Sequence, residues 1–178
     1  MRVVGIATLL AIPVPTCVLA AMTQQEALAE AFPGMRIERR PFLLSDAQVR
    51  SVEKTAKARL GSRLVTAYLG WRGDSLAGTA FFDTRVVRTM PAVLMVVVAP
   101  DTTVARLDVL AFHEPPDYLP GPRWLGLFGG RRLDDQLWPG RSIRNLSGAT
   151  LTTRAFTVSA RVALACYREL VAPTLPRR

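Results

Sequence analysis

The first half of the chain contains two short stretches with apolar residues at helical spacing. In "TQQEALAEAFPG" and in "LSDAQVRSVEKTAKARLG" a hydroxyl residue, Thr23 or Ser45, is followed three positions later by Glu or Gln, which is the spacing of a capping box. A Pro-Gly pair follows the first stretch and Gly61 follows the second, and such residues commonly end helices. We therefore expect two helices here, the second of which ends at Gly61.

Five further stretches have the pattern of β-strands. In most of them apolar and polar residues alternate with the period of two that is typical of a half-buried strand. Short turns such as "RGDS" separate neighbouring stretches, which favours hairpins and hence an antiparallel sheet. The five predicted strands lie in "MRIERRPF", "RLVTAYLGW", "LAGTAFFDTRVV", the wholly apolar "AVLMVVVA", and "VARLDVLAF".

A long stretch of helical periodicity near the end of the chain predicts a third helix from Leu151 to Val171, just before a proline. Arg154, Arg161 and Arg168 recur every seven residues, so we expect them together on its solvent-facing side. The opposite side would pack on the sheet through Phe156, Ala160, Ala163, Tyr167 and Leu170. The predicted fold class is α+β, a mostly antiparallel sheet packed with two N-terminal helices and a long C-terminal helix.

The beginning of the chain has the composition of an export segment. In "MRVVGIATLLAIPVPTCVLAAM" one early positive charge precedes an uncharged run, and Val18 and Ala20 fit the −3 and −1 positions of a signal-peptidase site. Residues 1–20 are therefore predicted to be a signal peptide or, because the run is long enough to span a bilayer, an uncleaved membrane anchor. Both predictions place residues 21–178, a single domain, outside the cytoplasm: periplasmic, secreted or anchored to the cytoplasmic membrane.

The formal net charge of +9 comes mostly from arginines spread along the 178 residues. No long basic block and no nucleic-acid-binding motif accompanies them, so nucleic acid is not an expected partner. The two cysteines, Cys17 and Cys166, lack the spacing of a zinc site, and Cys166 is expected to be a small buried apolar residue. The single histidine, His113, leaves no convincing Ser-His-Asp arrangement for a hydrolase.

The stretch "NLSGATLTTRAF" at residues 145–156 concentrates small and hydroxyl residues where the last helix begins. Gly148 allows an unusual turn, and the free N–H groups and dipole of a helix N-terminus favour a phosphate. Hydroxyls at Ser147, Thr150, Thr152 and Thr153 can add hydrogen bonds. The residues by themselves leave two interpretations open, an anion site or a Ser/Thr cap that serves only its own helix.

The segment "LSGATLT" resembles the flavinylation motif of the FMN-binding domain family, which includes the covalent-FMN subunits of the sodium-translocating NADH:quinone reductase and of the Rnf electron-transport complex. An export segment, a β-rich middle and a helix directly after the motif are also similar to this family. So is the Pro/Gly-rich stretch that contains Glu114 and "WLGLFGG". The similarity extends over residues 60–172 and its core is residues 147–150.

The resemblance implies an exported electron-transfer protein that carries FMN through a phosphoester to Thr150, formed from FAD by a flavin transferase. It also implies redox partners at the membrane or outside the cytoplasm, and a relay rather than a stand-alone enzyme. The cofactor-binding residues that it implies are Thr150, Ser147, Gly148, Ala149, Leu151, Thr152, Glu114 and Trp124.

One position departs from the family pattern. The family has an aspartate where this chain has Arg144, and that acidic position serves recognition by the transferase. The departure affects the recognition that leads to the covalent bond, whereas the acceptor hydroxyl of Thr150 is retained. A second hypothesis is therefore a non-redox binding or adaptor module with the same fold that has lost flavinylation.

Three weaker candidates remain in the Pro/Gly-rich stretch. His113 next to Glu114 has the residue types of an acid–base pair, or is an ordinary loop residue. Asp134 and Asp135 are candidates for a cation site or for a solvated turn. The aromatic residues of this stretch would either stack on an isoalloxazine ring or form a small core beneath the loop; they are Trp124, Phe128 and Trp138.

Overall fold

Five strands form one antiparallel sheet in the computed structural model, which describes residues 22–175. The strands pair in the order in which they occur along the chain, so the sheet is a simple meander. They are β1 (Arg36–Leu43), β2 (Leu64–Arg72), β3 (Ser75–Val86), β4 (Pro91–Val98) and β5 (Val104–Phe112). The predicted number of strands and their antiparallel arrangement are confirmed.

Helices precede and follow the strands, which confirms the α+β fold class. They are α1 (Gln24–Ala31), α2 (Asp46–Ala56), α3 (Pro122–Leu125) and α4 (Thr150–Cys166). The chain continues from α4 through a π-helical turn, Tyr167–Val171, and a 3-10 turn, Ala172–Thr174. None of the helices within residues 22–175 combines the length and the apolar composition needed to cross a bilayer. The predicted export segment at residues 1–20 lies outside the described residues.

Helices cover both faces of the sheet, because side chains of a strand point alternately to opposite faces. On β4, Leu94, Val96 and Val98 belong to the larger core, which the sheet forms with α2, α4 and the loop that precedes α4. Met95 and Val97 belong to a smaller core under α1. The wholly apolar strand is thus buried on both sides, as its sequence predicts.

The predicted capping boxes of α1 and α2 are both present. The end of α2 differs from the prediction. The helix stops at Ala56, and Lys57 adopts the left-handed conformation with a φ of 55°. Its N–H donates to the carbonyl of Glu53, and the Glu53 carboxylate accepts from the N–H of Leu60. These contacts end the helix well before Gly61.

Arg161 does not face solvent as its seven-residue spacing predicts. Its side chain is only 2% exposed, whereas Arg154 and Arg168 on the same side of α4 are exposed. The Arg161 guanidinium donates to the carbonyl oxygens of Ala56 at 2.7 Å and Leu137 at 2.9 Å. The C-terminal end of α2 and the loop that precedes α4 lie across the middle of this helix face, so the spacing alone does not determine exposure.

The segment between β5 and α4 is ordered around three short helical turns, at Pro116–Tyr118, Pro122–Leu125 and Gly126–Phe128. This segment packs onto the larger core through Trp124 and Phe128, and it leads directly into α4.

Candidate functional site

The motif forms a tight turn directly before α4. The N–H of Ala149 donates to the carbonyl of Leu146 at 3.1 Å, and Gly148 has a φ of +76°. Such a backbone conformation strongly favours glycine, because a Cβ atom would clash with the neighbouring carbonyl. Thr150 is then the first residue of the helix. The glycine of the motif is therefore required by the backbone geometry that ends the loop.

Thr153 fastens this turn to the helix. Its hydroxyl donates to the carbonyl of Ala149 and accepts from the N–H of Leu146, both at 3.2 Å. The side chain is fully buried. The Thr153 hydroxyl thus forms hydrogen bonds within the turn itself and stabilises the local structure.

The N-terminus of α4 carries no side-chain cap within the described part of the chain. Ala149 occupies the N-cap position, and Ser147 and Thr150 are exposed. The N–H groups of Thr150, Leu151 and Thr152 belong to the first helical turn, where no intrahelical acceptor exists. The interpretation of the motif as a Ser/Thr cap is therefore wrong, and the positive end of the helix dipole remains open toward solvent.

A cavity of about 190 Å³ lies at this helix end; we call it the motif cavity. It is lined by Arg88, Tyr118 and residues 148–152. The Arg88 guanidinium lies over the Tyr118 ring, 5.0 Å from the ring centroid. A fixed positive charge and the open N–H groups of the helix thus face the same space as the Thr150 hydroxyl.

Glu114 determines the position of Arg88. One carboxylate oxygen of Glu114 accepts the backbone N–H groups of Arg88, Thr89 and Met90 at 2.8–2.9 Å. These hydrogen bonds, from Met90 and Thr89 first, lower the pKa of Glu114 below its usual range. The ionised carboxylate therefore holds the β3–β4 turn against the loop, and His113 beside it is exposed.

Trp124 supports the segment that leads into the motif. Its indole N–H donates to the carbonyl of Arg144 at 2.7 Å, and its ring packs edge-on against Phe128 and Phe156. The ring is 4% exposed and does not line the motif cavity. Trp124 and Phe128 thus belong to the core beneath the loop, which was one of the two interpretations of these aromatic residues.

A second, shallower cavity of about 200 Å³ lies on the other side of Leu151; we call it the arginine cavity. Arg85, Val86 and Arg154 line it together with Leu151, which also lines the motif cavity. Arg85 is held by the Asp83 carboxylate at 2.7 Å. The exposed Leu151 side chain therefore separates two depressions that each contain arginine.

A larger cavity, about 270 Å³, lies elsewhere along α4, beside Ser159 and Cys166. Ser159 comes nine positions after Thr150, which is about 13 Å along a helix. Its walls are mostly apolar, and the Asp83 carboxylate in it accepts from both Arg85 and Ser159. Its one carboxylate is thus already paired with Ser159 and Arg85, and the motif cavity offers the more distinctive chemistry.

The remaining candidates have structural surroundings. Asp134 accepts the backbone N–H groups of Gln136 and Leu137, and Asp135 pairs with Lys57, as expected of a solvated turn. Within residues 22–175 no group of three or more His, Cys, Asp or Glu side chains could hold a metal ion. Burial raises the pKa of the Cys166 thiol to about 12, so this cysteine is an inert core residue.

Sequence reasoning missed Arg88 and Tyr118. Both lie far from the motif along the chain, on the β3–β4 turn and on the 3-10 turn after β5. No local pattern marks them, and only the closure of the sheet by the loop brings them to Thr150. Scans against models of protein families and against curated proteins found no match to the chain.

Proposed function

We propose that this protein is an exported electron-transfer domain that binds FMN, with the flavin phosphate held at Thr150. The observation that supports it most is the open N-terminus of α4, which begins at the motif threonine and shares a cavity with Arg88. An anion at this position would meet unpaired N–H groups, the helix dipole and a guanidinium.

The residues present fit the phosphate end of the cofactor. Thr150 is exposed, and no atom outside residues 147–149 lies within 4 Å of the position that a Cβ atom on Gly148 would take. An approaching phosphate would therefore not be obstructed there. The motif cavity, about 190 Å³, is smaller than the roughly 300–1,000 Å³ of sites that enclose whole ligands. We infer that the phosphate is enclosed and that the flavin ring lies at the surface.

Each motif residue has a defined task in this proposal. The Thr150 hydroxyl is the acceptor, and a phosphoester to it formed from FAD would release AMP. Arg88 balances the phosphate charge, Glu114 and Trp124 hold the two loops that form the cavity, and Thr153 holds the turn. A bound flavin supplies the electron-accepting and electron-donating chemistry. Its partners would be a flavin transferase and redox proteins at the membrane or in the periplasm.

Coexpression with a flavin transferase tests the covalent bond. The full chain is exported in a host that contains the transferase, denatured and examined for flavin fluorescence on the separated polypeptide. We expect fluorescence from the native chain and from Thr150→Ser, and none from Thr150→Ala. Thr55→Ala, which truncates an exposed threonine of α2, is the matched control and should retain the full signal. A Thr150→Ala variant that stays fluorescent would exclude Thr150 as the acceptor.

Titration of the folded protein with free FMN tests binding without the covalent bond. We expect saturable binding that Arg88→Gln weakens about tenfold, because a charge-assisted hydrogen bond to phosphate contributes on the order of 1.5 kcal/mol. Riboflavin lacks the phosphate and should bind equally weakly to both proteins. If the chain shows neither flavin fluorescence after coexpression nor saturable FMN binding, the flavin proposal has no support.

Arg144 supports the second candidate, an adaptor module that has lost flavinylation. Its backbone carbonyl is held by Trp124, and its side chain is exposed at the position where the family has an aspartate. If a transferase reads an acidic residue there, Arg144→Asp should raise the covalent yield several-fold. Arg123→Asp, with the same change of charge at another exposed position, should not. A colourless Arg144→Asp variant in a transferase-competent host would favour the adaptor.

A further inference from the structure

An exposed apolar cluster, formed by Val86, Met90 and Leu151, lies at the two cavities beside the start of α4 and on the adjoining β3–β4 turn. Val86 is 66% exposed, Leu151 50% and Met90 45%. Leu151 lies between the cavities, Val86 lines the arginine cavity, and Met90 lies on the turn that carries Arg88. Among the described residues, half of the six large apolar side chains that are exposed belong to this small area.

Two positive charges next to this cluster lack carboxylate partners, whereas Arg85 of the arginine cavity pairs with Asp83. Neither Arg88 nor Arg154 has an ion-pair partner within 4.0 Å in the described part of the chain. Both side chains are exposed. The nearest carboxylate of the turn, on Glu114, accepts backbone N–H groups and is buried. The surroundings of Leu151 thus combine an apolar centre with unpaired cations.

We propose that Val86, Met90, Leu151, Arg88 and Arg154 form a docking surface for an acidic face of a partner protein that exchanges electrons with this domain. The inference rests on the proposed function, because it places the partner beside the flavin at Thr150. Complementary charge raises the rate of encounter more than it raises affinity, which suits a transient redox contact. Small interfaces are typical of such contacts, and three apolar side chains match that size.

The geometry favours a protein partner over a membrane. A helix that lies in a bilayer surface presents a continuous apolar face along its length. Helix α4 is buried along almost all of its length, and in its first two turns it exposes Leu151 and Arg154 beside Thr150. An apolar area this short is suited to a side-chain contact with another protein.

A labelled acidic peptide tests the surface on the flavin-free full chain. The probe is a fluorescein-labelled peptide of glutamates with one central leucine, and its binding is followed by fluorescence anisotropy at low ionic strength. We expect the double variant Arg88→Gln with Arg154→Gln to bind it about tenfold more weakly, since exposed ion pairs contribute modestly and add at separate sites. Leu151→Ser, which leaves every charge in place, should also weaken binding, by about threefold.

The matched control removes two other exposed arginines, Arg50→Gln with Arg72→Gln. Arg72 lies opposite Ser75, the first residue of β3, and Val86 is the last residue of that strand. The 12 residues of β3 span about 36 Å, so Arg72 is far from Val86. The control should change binding less than twofold. Equal weakening by both double variants would overturn the proposal, because binding would then depend on net charge alone.

Two further measurements separate the possible failures. Vesicles of phosphatidylglycerol should bind the native chain and the Arg88/Arg154 double variant equally well. If the double variant loses vesicle binding but not peptide binding, the surface binds a membrane and the proposal is overturned. Flavin loading is measured separately on the same variants. Peptide binding that depends on Arg88 and Arg154, in a chain that takes up no flavin, would contradict the proposed function but support the docking surface. Flavin loading of a chain whose peptide binding does not depend on these arginines would support the proposed function but overturn the docking surface.

Discussion

Charged side chains in this protein contact the backbone at several decisive points. Glu114 binds three N–H groups of the β3–β4 turn, and Arg161 binds carbonyl groups at the end of α2 and in the loop before α4. A buried backbone group without a partner is costly, so each of these side chains holds a loop in one place. The candidate site depends on both loops.

Replacement of Arg161 should destabilise the fold. Arg161→Met fills a similar length but leaves the carbonyls of Ala56, Asp134 and Leu137 without their donor, and we expect the free energy of unfolding to fall by about 3 kcal/mol. Arg168→Met, on the exposed side of the same helical segment, should change it by less than about 0.5 kcal/mol. Urea unfolding of both variants measures the difference, and equal effects would contradict the assigned role.

Glu114 should contribute a pH-dependent part of the stability. Because hydrogen bonds from Met90, Thr89 and Arg88 lower its pKa in the folded state, its stabilisation is present above about pH 4.5, the ordinary pKa, and is lost as the pH falls through the lowered value. The melting temperature of Glu114→Gln should therefore lie below that of the native chain at neutral pH and approach it in acid. Asp74→Asn, which removes a carboxylate from the exposed hairpin turn, is the control, and a Glu114→Gln deficit that stays the same from neutral pH to acid would contradict the assigned role.

Helix α1 packs on the sheet through a close approach of one aromatic ring to the backbone. Phe32, directly after α1, lies over Gly70 of β2 and Gly78 of β3, and a Cβ atom at position 70 would clash with its ring carbons. The ring belongs to the smaller core with Leu28 and Met95. At the scale of elements, the absence of a side chain at position 70 lets the helix end lie flat on the sheet.

Gly70→Ala should therefore lower the free energy of unfolding by about 2 kcal/mol, the usual cost of overpacking. In a Phe32→Leu background the same substitution should cost much less, since the ring that it meets is gone. Gly61→Ala, at a position with nothing within 4 Å, is the control and should have little effect. Additive effects of Gly70→Ala and Phe32→Leu in a double-mutant cycle would show that the two sites do not touch.

At the scale of the molecule, residues 22–175 form a sheet between unequal layers, with the small helix α1 on one face and α2, α4 and the loop segment on the other. The larger core encloses Cys166, whose thiol is buried and has its pKa raised to about 12. Reaction of this thiol requires opening of the layer that α4 forms with the sheet. It is therefore a reporter of global unfolding.

In a Cys17→Ser chain, the rate of Cys166 labelling in the native state should be at least about a hundredfold lower than the rate in concentrated urea. Its rate should follow the population of unfolded protein as urea is added. Addition of Ser62→Cys, at an exposed position, provides a thiol that should react rapidly under all conditions. Rapid native labelling of Cys166 would contradict the closed core.

Local patterns predicted most of the elements because their causes are local. Capping boxes, the alternation of the strands and the helical period before α4 each involve residues within a few positions of one another. The same holds for Gly148, whose positive φ belongs to a turn of four residues. The end of α2 was misplaced because Lys57 adopts a left-handed conformation that its sequence does not announce.

The sequence by itself determined the α+β class, the five antiparallel strands and the position of the Thr150 motif at the start of a helix. Only the tertiary structure decided that Arg88 and Tyr118 share a cavity with that threonine, that Glu114 holds the turn carrying Arg88, and that Arg161 is buried. The physical reason is the same in each case. Period and capping depend on neighbours along the chain, whereas a cavity or a buried charge depends on which distant backbone groups the folded layers bring against it.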